Sequence, residues 1–465
     1  MKYISTRDNA PELGFSDTVM TGLARDGGLY LPETYPHFSP DSLKALRGKS
    51  YASIAKTILW PFIDGEIDRA AFDAMVDEAY QTFRHPAICP LVQTGTNEFI
   101  LELFHGPTLA FKDVAMQLLG RLMDYILNHQ NKRATIIGAT SGDTGGAAIE
   151  AFAGRERCDV FILFPKGHVS PVQQRQMTTN HNANVHALAI EGNFDDCQAL
   201  VKAMFNDHAF RDKTALSGVN SINWARIMAQ IVYYFTSAIS LGAPDRAVSF
   251  TVPTGNFGDI FAGFVASQMG LPIAHLVIAT NDNDILVRTL QTGNYQIHAL
   301  RHTISPSMDI QVSSNFERLL FEASGRDAVY IRNAMESLKQ SGQFTIEKRS
   351  LEKIKNLFSA GCSTESETSH MIDRLYKESH YLADPHTAIA VKVARQHLEA
   401  TIPMVVLSTA HPAKFPDAVD KACGIVPELP LSLRDLMEKP ERFKTLPNDE
   451  KIVKEYIGKK TRACH

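Results

Sequence analysis

Up to about residue 90, apolar positions recur with helical spacing. "SPDSLKALRGKSYASIAKTILWPFI" and "DRAAFDAMVDEAYQTF" carry that period and have Ser or Asp near their starts, where a side-chain oxygen can cap the first turn. Between 22 and 36, "GLARDGGLYLPETYP" is rich in Gly and Pro and reads as turns around a short apolar stretch. From about 95 the pattern changes to short apolar runs alternating with amphipathic stretches. "FILELF", "ATIIGA", "CDVFILFP" and "VHALAIEG" read as strands, and "AAIEAFAG", "SPVQQRQMTTNH" and "FDDCQALVKAMFND" as helices. Over 112–130, Ala115, Leu118, Leu119, Leu122, Met123, Ile126 and Leu127 share one helical face. A second series follows: the long helix "SINWARIMAQIVYYFTSAISLG", the strand "AVSFTVPTG", the helix "FGDIFAGFVASQMG", the strand "IAHLVIAT", and later the helix "DPHTAIAVKVARQHLEA" and strand "PMVVLST".

This cadence predicts an α/β protein with parallel sheets covered on both faces. Two doubly wound α/β domains with a ligand between them are expected, behind a mostly helical N-terminal region. The expected divisions are 1–94, 95–215 and 216–425, with a polar helical insertion at about 300–380 and a tail over 426–465. No internal repeat or low-complexity tract interrupts them.

Composition narrows the function. Of 465 residues, 47 are basic and 51 acidic, for a net charge of -4, and no basic stripe supports nucleic-acid binding. The start "MKYISTRDNAPELGF" has no apolar signal core, and no run reaches the ~18 apolar residues of a membrane span, so a cytoplasmic protein without a membrane partner is expected. The 6 cysteines are scattered without a CxxC pair, and the 17 histidines form neither HExxH nor a Cys/His ligand spacing, so free thiols and no metal are expected.

The chemistry-bearing residues gather in loops after apolar runs, where open parallel sheets place ligands. "GATSGDTGG" (138–146) offers the hydroxyls of Thr140, Ser141 and Thr144 and opens a helix whose N–H groups suit a carboxylate or phosphate; a tight strand-to-helix turn would look the same. "PTGNFGDIFAG" (253–263) places Gly255, Asn256, Phe257, Gly258 and Asp259 between strand and helix, either as a backbone phosphate cup or as a structural turn. "VVLSTAHPAKF" (405–415) ends a strand in Ser408 and Thr409, with His411 and Lys414 beyond, and "GVNSINWARIMAQ" (218–230) gathers Asn220, Ser221, Asn223 and Arg226 at a helix start. In "HGPTLAFKD" (105–113) a Gly-Pro turn leads to Lys112. Walker A and GxGxxG spacings are absent, which disfavours a kinase or dinucleotide enzyme. Two phosphate-capable loops, a further anion site and a lysine after a turn together suggest a phosphorylated carbonyl cofactor held as a Schiff base, and pyridoxal phosphate is the common one.

The strings "DGGLYLPE", "HGPTLAFKD", "GATSGDTG", "PTGNFGD", "PSMDIQVSSNFER", "DPHTA" and "STAHPAKF" run in order from about 22 to 415, and in that order they resemble the threonine synthase family, in its longer bacterial and yeast-type branch. The resemblance implies a fold-type II pyridoxal-phosphate enzyme, a monomer or weak homodimer. It implies Lys112 as the Schiff-base lysine, 255–259 as the cofactor's phosphate cup, Thr409 as the hydroxyl partner of the ring nitrogen, and Asp143 near the ring 3-oxygen. By local match it further implies Ser141 and Thr144 for the substrate carboxylate, and Asn220, Ser221 and Arg226, with Lys414, for the substrate phosphate. The reaction it implies converts O-phospho-L-homoserine and water to L-threonine and phosphate. Two alternatives share these loops: a phospho-lyase releasing 2-oxobutyrate from the same substrate, and an inactive binding protein on the same fold.

Overall fold

The structure, a computed structural model, describes residues 1–63, 65–140 and 142–464. Two sheets organise it. The larger has six strands in the order Phe358–Cys362, Ile273–Thr280, Val248–Pro253, Met404–Ser408, Glu98–Glu102 and Leu91–Gly95. All its neighbours are parallel except the last pair. The smaller is wholly parallel, with five strands in the order Lys444–Pro447, Val185–Glu191, Cys158–Pro165, Ala134–Ala139 and Leu216–Gly218.

The central strands follow from their sequence. "CDVFILFP" is buried at every position, as is "VSFTVP", because helices cover both faces of a parallel sheet. Helices Gly258–Gln268 and Pro385–Ala394 pack on the larger sheet, with Trp224–Ser240 against the first of them. Trp224 is fully buried among the rings of Tyr3, Tyr35 and Phe62, which fastens the N-terminal region to this unit.

The sheets cross the expected divisions. "FILELF" supplies the strand Glu98–Glu102, assigned by its position to the smaller unit, but it pairs with Met404–Ser408 in the larger sheet, Phe99 opposite Val405. The boundary at 94/95 therefore cuts an antiparallel pair, Leu91–Gly95 with Glu98–Glu102. The tail also departs from expectation: Lys444–Pro447 forms an edge of the smaller sheet, and Arg462 Nε donates to Asp159 Oδ1 at 2.8 Å. The insertion carries helices, yet it also contains Phe358–Cys362, the outer strand of the larger sheet. Near the N terminus the expected helix 39–63 is two, Pro40–Lys44 and Tyr51–Ile63, because Gly48 at φ +73° breaks the run.

Candidate active site

The C-terminal ends of the two sheets face a cavity of ≈ 480 Å³. Among the predicted site residues, Lys112, Thr144, Asn220, Ser221, Arg226, Thr409 and the whole 255–259 loop line it. Asp143 reaches it through Lys112, Lys414 lies behind it, and Ser141 falls outside the described residues.

Local structure aims Lys112. Leu109 adopts φ +61°, a conformation unusual for a branched side chain, and turns the chain into the helix Lys112–His129. The turn is held from several sides. Arg84 Nη1 and Nη2 donate to the carbonyls of Gly106 and Pro107 at 2.6 and 2.8 Å. Asp113 accepts from the Thr108 N–H and hydroxyl at 2.8 and 2.7 Å, and a Cβ at Gly106 would lie 2.4 Å from the Cβ of Asp113. The Phe111 N–H donates to the Thr409 carbonyl at 2.8 Å and the His411 N–H to that of Leu109 at 3.0 Å, so Lys112 and Thr409 sit on one backbone framework.

The Lys112 ammonium lies 3.4 Å from Asp143 Oδ2. Burial lowers it below the usual lysine range; Asp143 opposes that, and the charges of Lys414 and Arg226 reinforce it. Asp143 receives Gln173 Nε2 and Lys414 Nζ on Oδ1, each at 2.8 Å. Burial alone would raise this carboxyl, but Lys414 and Lys112, with the hydrogen bonds, hold it well below the carboxylate range. Thr140 faces inward, where its Oγ1 accepts from the N–H groups of Gly142 and Gly145 at 2.9 and 3.0 Å.

Lys414 departs from the sequence-based expectation. It is fully buried, and its ammonium is held by Asp143, the Thr108 carbonyl at 2.6 Å and Gln176 Oε1 at 3.0 Å, so it is not a free cation for a substrate phosphate. Arg226 is placed differently. It lines the cavity, is nearly fully buried, donates through Nη1 to the Val219 carbonyl at 3.2 Å, and leaves Nε with no hydrogen-bond partner among the described residues. Burial pushes it down to about 10, far above neutrality, so it remains cationic.

The glycine loop lines the same cavity as Lys112. Phe257 takes φ +64° and starts helix Gly258–Gln268 with no side-chain cap, which leaves the first-turn N–H groups without a side-chain acceptor. A Cβ at Gly255 would approach the Ser307 carbonyl to 2.7 Å, so the loop lies tight under the 306–308 turn. The Asp259 side chain turns towards two tyrosines: Tyr234 donates to its Oδ1 at 3.1 Å, Tyr233 makes a shorter bond to the same atom, and Oδ2 has no partner among the described residues. Burial drives this carboxyl up to about 7 against both tyrosines.

An uncapped amide cup, a close-fitting glycine, a lysine biased towards neutrality and unpartnered polar atoms on Arg226 and Gln230 fit a phosphorylated carbonyl cofactor with an anionic substrate. The chain's similarities agree. Residues 2–80 match the threonine synthase N terminus, 90–339 the pyridoxal-phosphate dependent enzyme family and 387–457 the threonine synthase C-terminal family. Threonine synthase from Pseudomonas aeruginosa is 50% identical over 460 residues, covering 98% of each chain. This chain belongs to the threonine synthase family. It is a fold-type II, pyridoxal-phosphate-dependent enzyme. The crystal structure of pyridoxal-phosphate-bound threonine synthase from Brucella melitensis superposes with a TM-score of 0.98 at 66% identity, over 99% of this chain and 100% of that one. Yeast threonine synthase gives 0.94 at 41%, over 99% and 98%.

Some lining residues were not singled out from sequence. His386 lines the cavity, with Nδ1 2.7 Å from Asp384 Oδ1 and Nε2 accepting the Ser307 N–H at 3.3 Å, an arrangement that places its proton on Nδ1. Its string "DPHTA" was legible; its pairing with a turn 79 residues earlier was not. Gln230 and Met308 carry no local signal that separates them from core residues.

Proposed function

We propose that this chain converts O-phospho-L-homoserine and water to L-threonine and phosphate, as a monomer or weak homodimer in the cytoplasm. The observation that carries the reading is one cavity holding a buried lysine and two separate features suited to anions: the uncapped 255–258 amides and Arg226, whose Nε has no hydrogen-bond partner among the described residues. The cofactor and the substrate would each bring a phosphate.

When bound, pyridoxal phosphate supplies an electrophilic carbon and an electron sink that acidify the substrate's Cα and Cβ protons. Gly255, Asn256, Phe257 and Gly258 would hold its phosphate through the backbone, and Thr409 its ring nitrogen. Lys112 Nζ, whose hold on its proton burial weakens, takes the proton from the substrate Cα and returns one later. Asp143, kept ionised by its lysines, stays an acceptor throughout. Arg226, with Asn220 and Ser221, would hold the substrate phosphate until it leaves Cγ, and Thr144 would orient the carboxylate.

The test begins with the absorbance of purified holoenzyme. A band near ~410–430 nm that borohydride traps on Lys112 is expected. Addition of O-phospho-L-homoserine should then yield threonine and phosphate. Accumulation of 2-oxobutyrate instead would overturn the synthase reading in favour of the phospho-lyase, and a reconstituted protein with no such band would overturn the enzyme reading altogether.

A further inference from the structure

Lys414 is fully buried beside the cavity, and the groups its ammonium meets are acceptors. Asp143 Oδ1 at 2.8 Å, the Thr108 carbonyl at 2.6 Å and Gln176 Oε1 at 3.0 Å surround Nζ. Gln176 Nε2 donates to the same Thr108 carbonyl at 3.0 Å, which fixes the oxygen end of that amide towards the lysine. Three acceptors require three N–H donors, so the group is an ammonium with none left for a substrate. A buried ammonium is tolerable only beside a counter-charge, and Asp143 is the carboxylate that meets it.

The contacts also bridge the molecule. Lys414 follows a strand of the larger sheet, Asp143 opens the helix after a strand of the smaller one, Gln176 lies on helix Pro171–Thr178, and Thr108 belongs to the turn that aims Lys112. Four charged groups face this cluster: Asp143, Lys414 and Arg226 towards Lys112, and Asp113 towards Lys414 across Thr108. With Lys414 present, the Asp143 charge is balanced. Without it, a lone buried carboxylate would hold a proton on the Lys112 nitrogen.

We infer that Lys414 is a positioning residue whose fixed charge offsets that of Asp143 and so sets the protonation balance at Lys112. This rests on the role of Lys112 proposed above, and the experiment separates the two. The pH midpoint of the absorbance change near ~410–430 nm is measured on holoenzyme. Lys414→Met, which keeps length and removes charge, should move the midpoint up by about 1 unit, Asp143→Asn should move it down, and the double variant should return it close to wild type. Gln176→Leu, which removes a hydrogen bond but no charge, should leave it in place. A purely structural role predicts lower melting temperatures with no ordered shift. An unmoved midpoint in Lys414→Met, with the wild-type band intact, overturns the inference and leaves the proposed function standing; absence of the wild-type band overturns the latter. If Lys414→Met fails to load cofactor, the comparison of Asp143→Asn with the double variant decides: an upward step supports the inference, and equal midpoints refute it.

Discussion

Asp143 and Asp259 occupy the same local slot. Each lies in the first turn of a helix that follows a parallel strand, and each is buried, at 6% and 7% exposed. The helix N-terminus favours the anion equally in both places. Their charges nevertheless diverge. Asp143 is ringed by two lysines and an amide and held well below the carboxylate range, whereas Asp259 has two tyrosine hydroxyls and no cation among the described residues beside it and is driven up to about 7. The difference shows that tertiary neighbours, not the residue or its local frame, decide which carboxylate carries charge. It also suits the roles proposed for the two regions: a proton-transferring lysine would need a permanent anion among its neighbouring cations, while a loop proposed to hold a phosphate dianion would be better backed by an acid that can stay protonated.

The contrast can be broken most severely at Lys112. Lys112→Ala should lower turnover by about 10³-fold or more, the loss expected for a positioned proton-transfer group, and should abolish borohydride trapping. Steady-state assay with peptide mapping checks both. Next comes stability. Asp143→Ala strands Lys414 as an uncompensated buried ammonium and should cost about 3–5 kcal/mol in urea unfolding at pH 7, well beyond any loss from Asp259→Asn. At the cup, Gly255→Ala pushes a methyl to 2.7 Å from the Ser307 carbonyl and should weaken cofactor affinity about tenfold, read by fluorescence titration, with little change in melting temperature of cofactor-free protein.

The smallest effect sharpens the contrast by sign. A carboxyl raised to about 7 in the fold contributes stability that is full below its unfolded value, ~4, and is lost as pH rises through 7. A depressed carboxyl does the opposite: its contribution is present above ~4 and is lost as pH falls. From pH 5 to 7.5, Asp259→Asn should therefore gain stability relative to wild type in cofactor-free protein. Asp143→Asn should show its penalty throughout that range and lose it only in acid. Parallel slopes for Asp259→Asn and wild type would contradict the environment described for Asp259.

Much of the site was legible because its signals are contiguous. Lys112 directly follows its turn, the 255–259 loop is one unbroken string, and Thr409 ends an apolar strand, so each can be read without knowing what lies opposite. Lys414 was misread for the converse reason: its partners Gln176 and Thr108 lie 238 and 306 residues away, and an isolated lysine beside a site looks like a free cation. Strand runs such as "CDVFILFP" were equally plain, since burial on both faces demands an unbroken apolar string. The edge strand "KTLP" was not, because edge strands are short and polar by necessity. "FILELF" was recognised as a strand and placed in the wrong sheet, since adjacency in sequence favours pairing with the next strand and only tertiary structure reveals Met404–Ser408 as its neighbour.

The edge strand Lys444–Pro447 has a bearing on how the polypeptide is made. Four strands of the smaller sheet leave the ribosome by residue 218, yet the fifth is translated more than two hundred residues later, after the entire larger sheet. For that interval the Val185–Glu191 edge has no partner on its outer side, and the nascent protein carries an unsatisfied strand that invites pairing with a neighbour on the same message. Helix Glu450–Lys460 and the Arg462–Asp159 bond then seal the gap, so the smaller sheet is closed only after every strand of the larger one has been made.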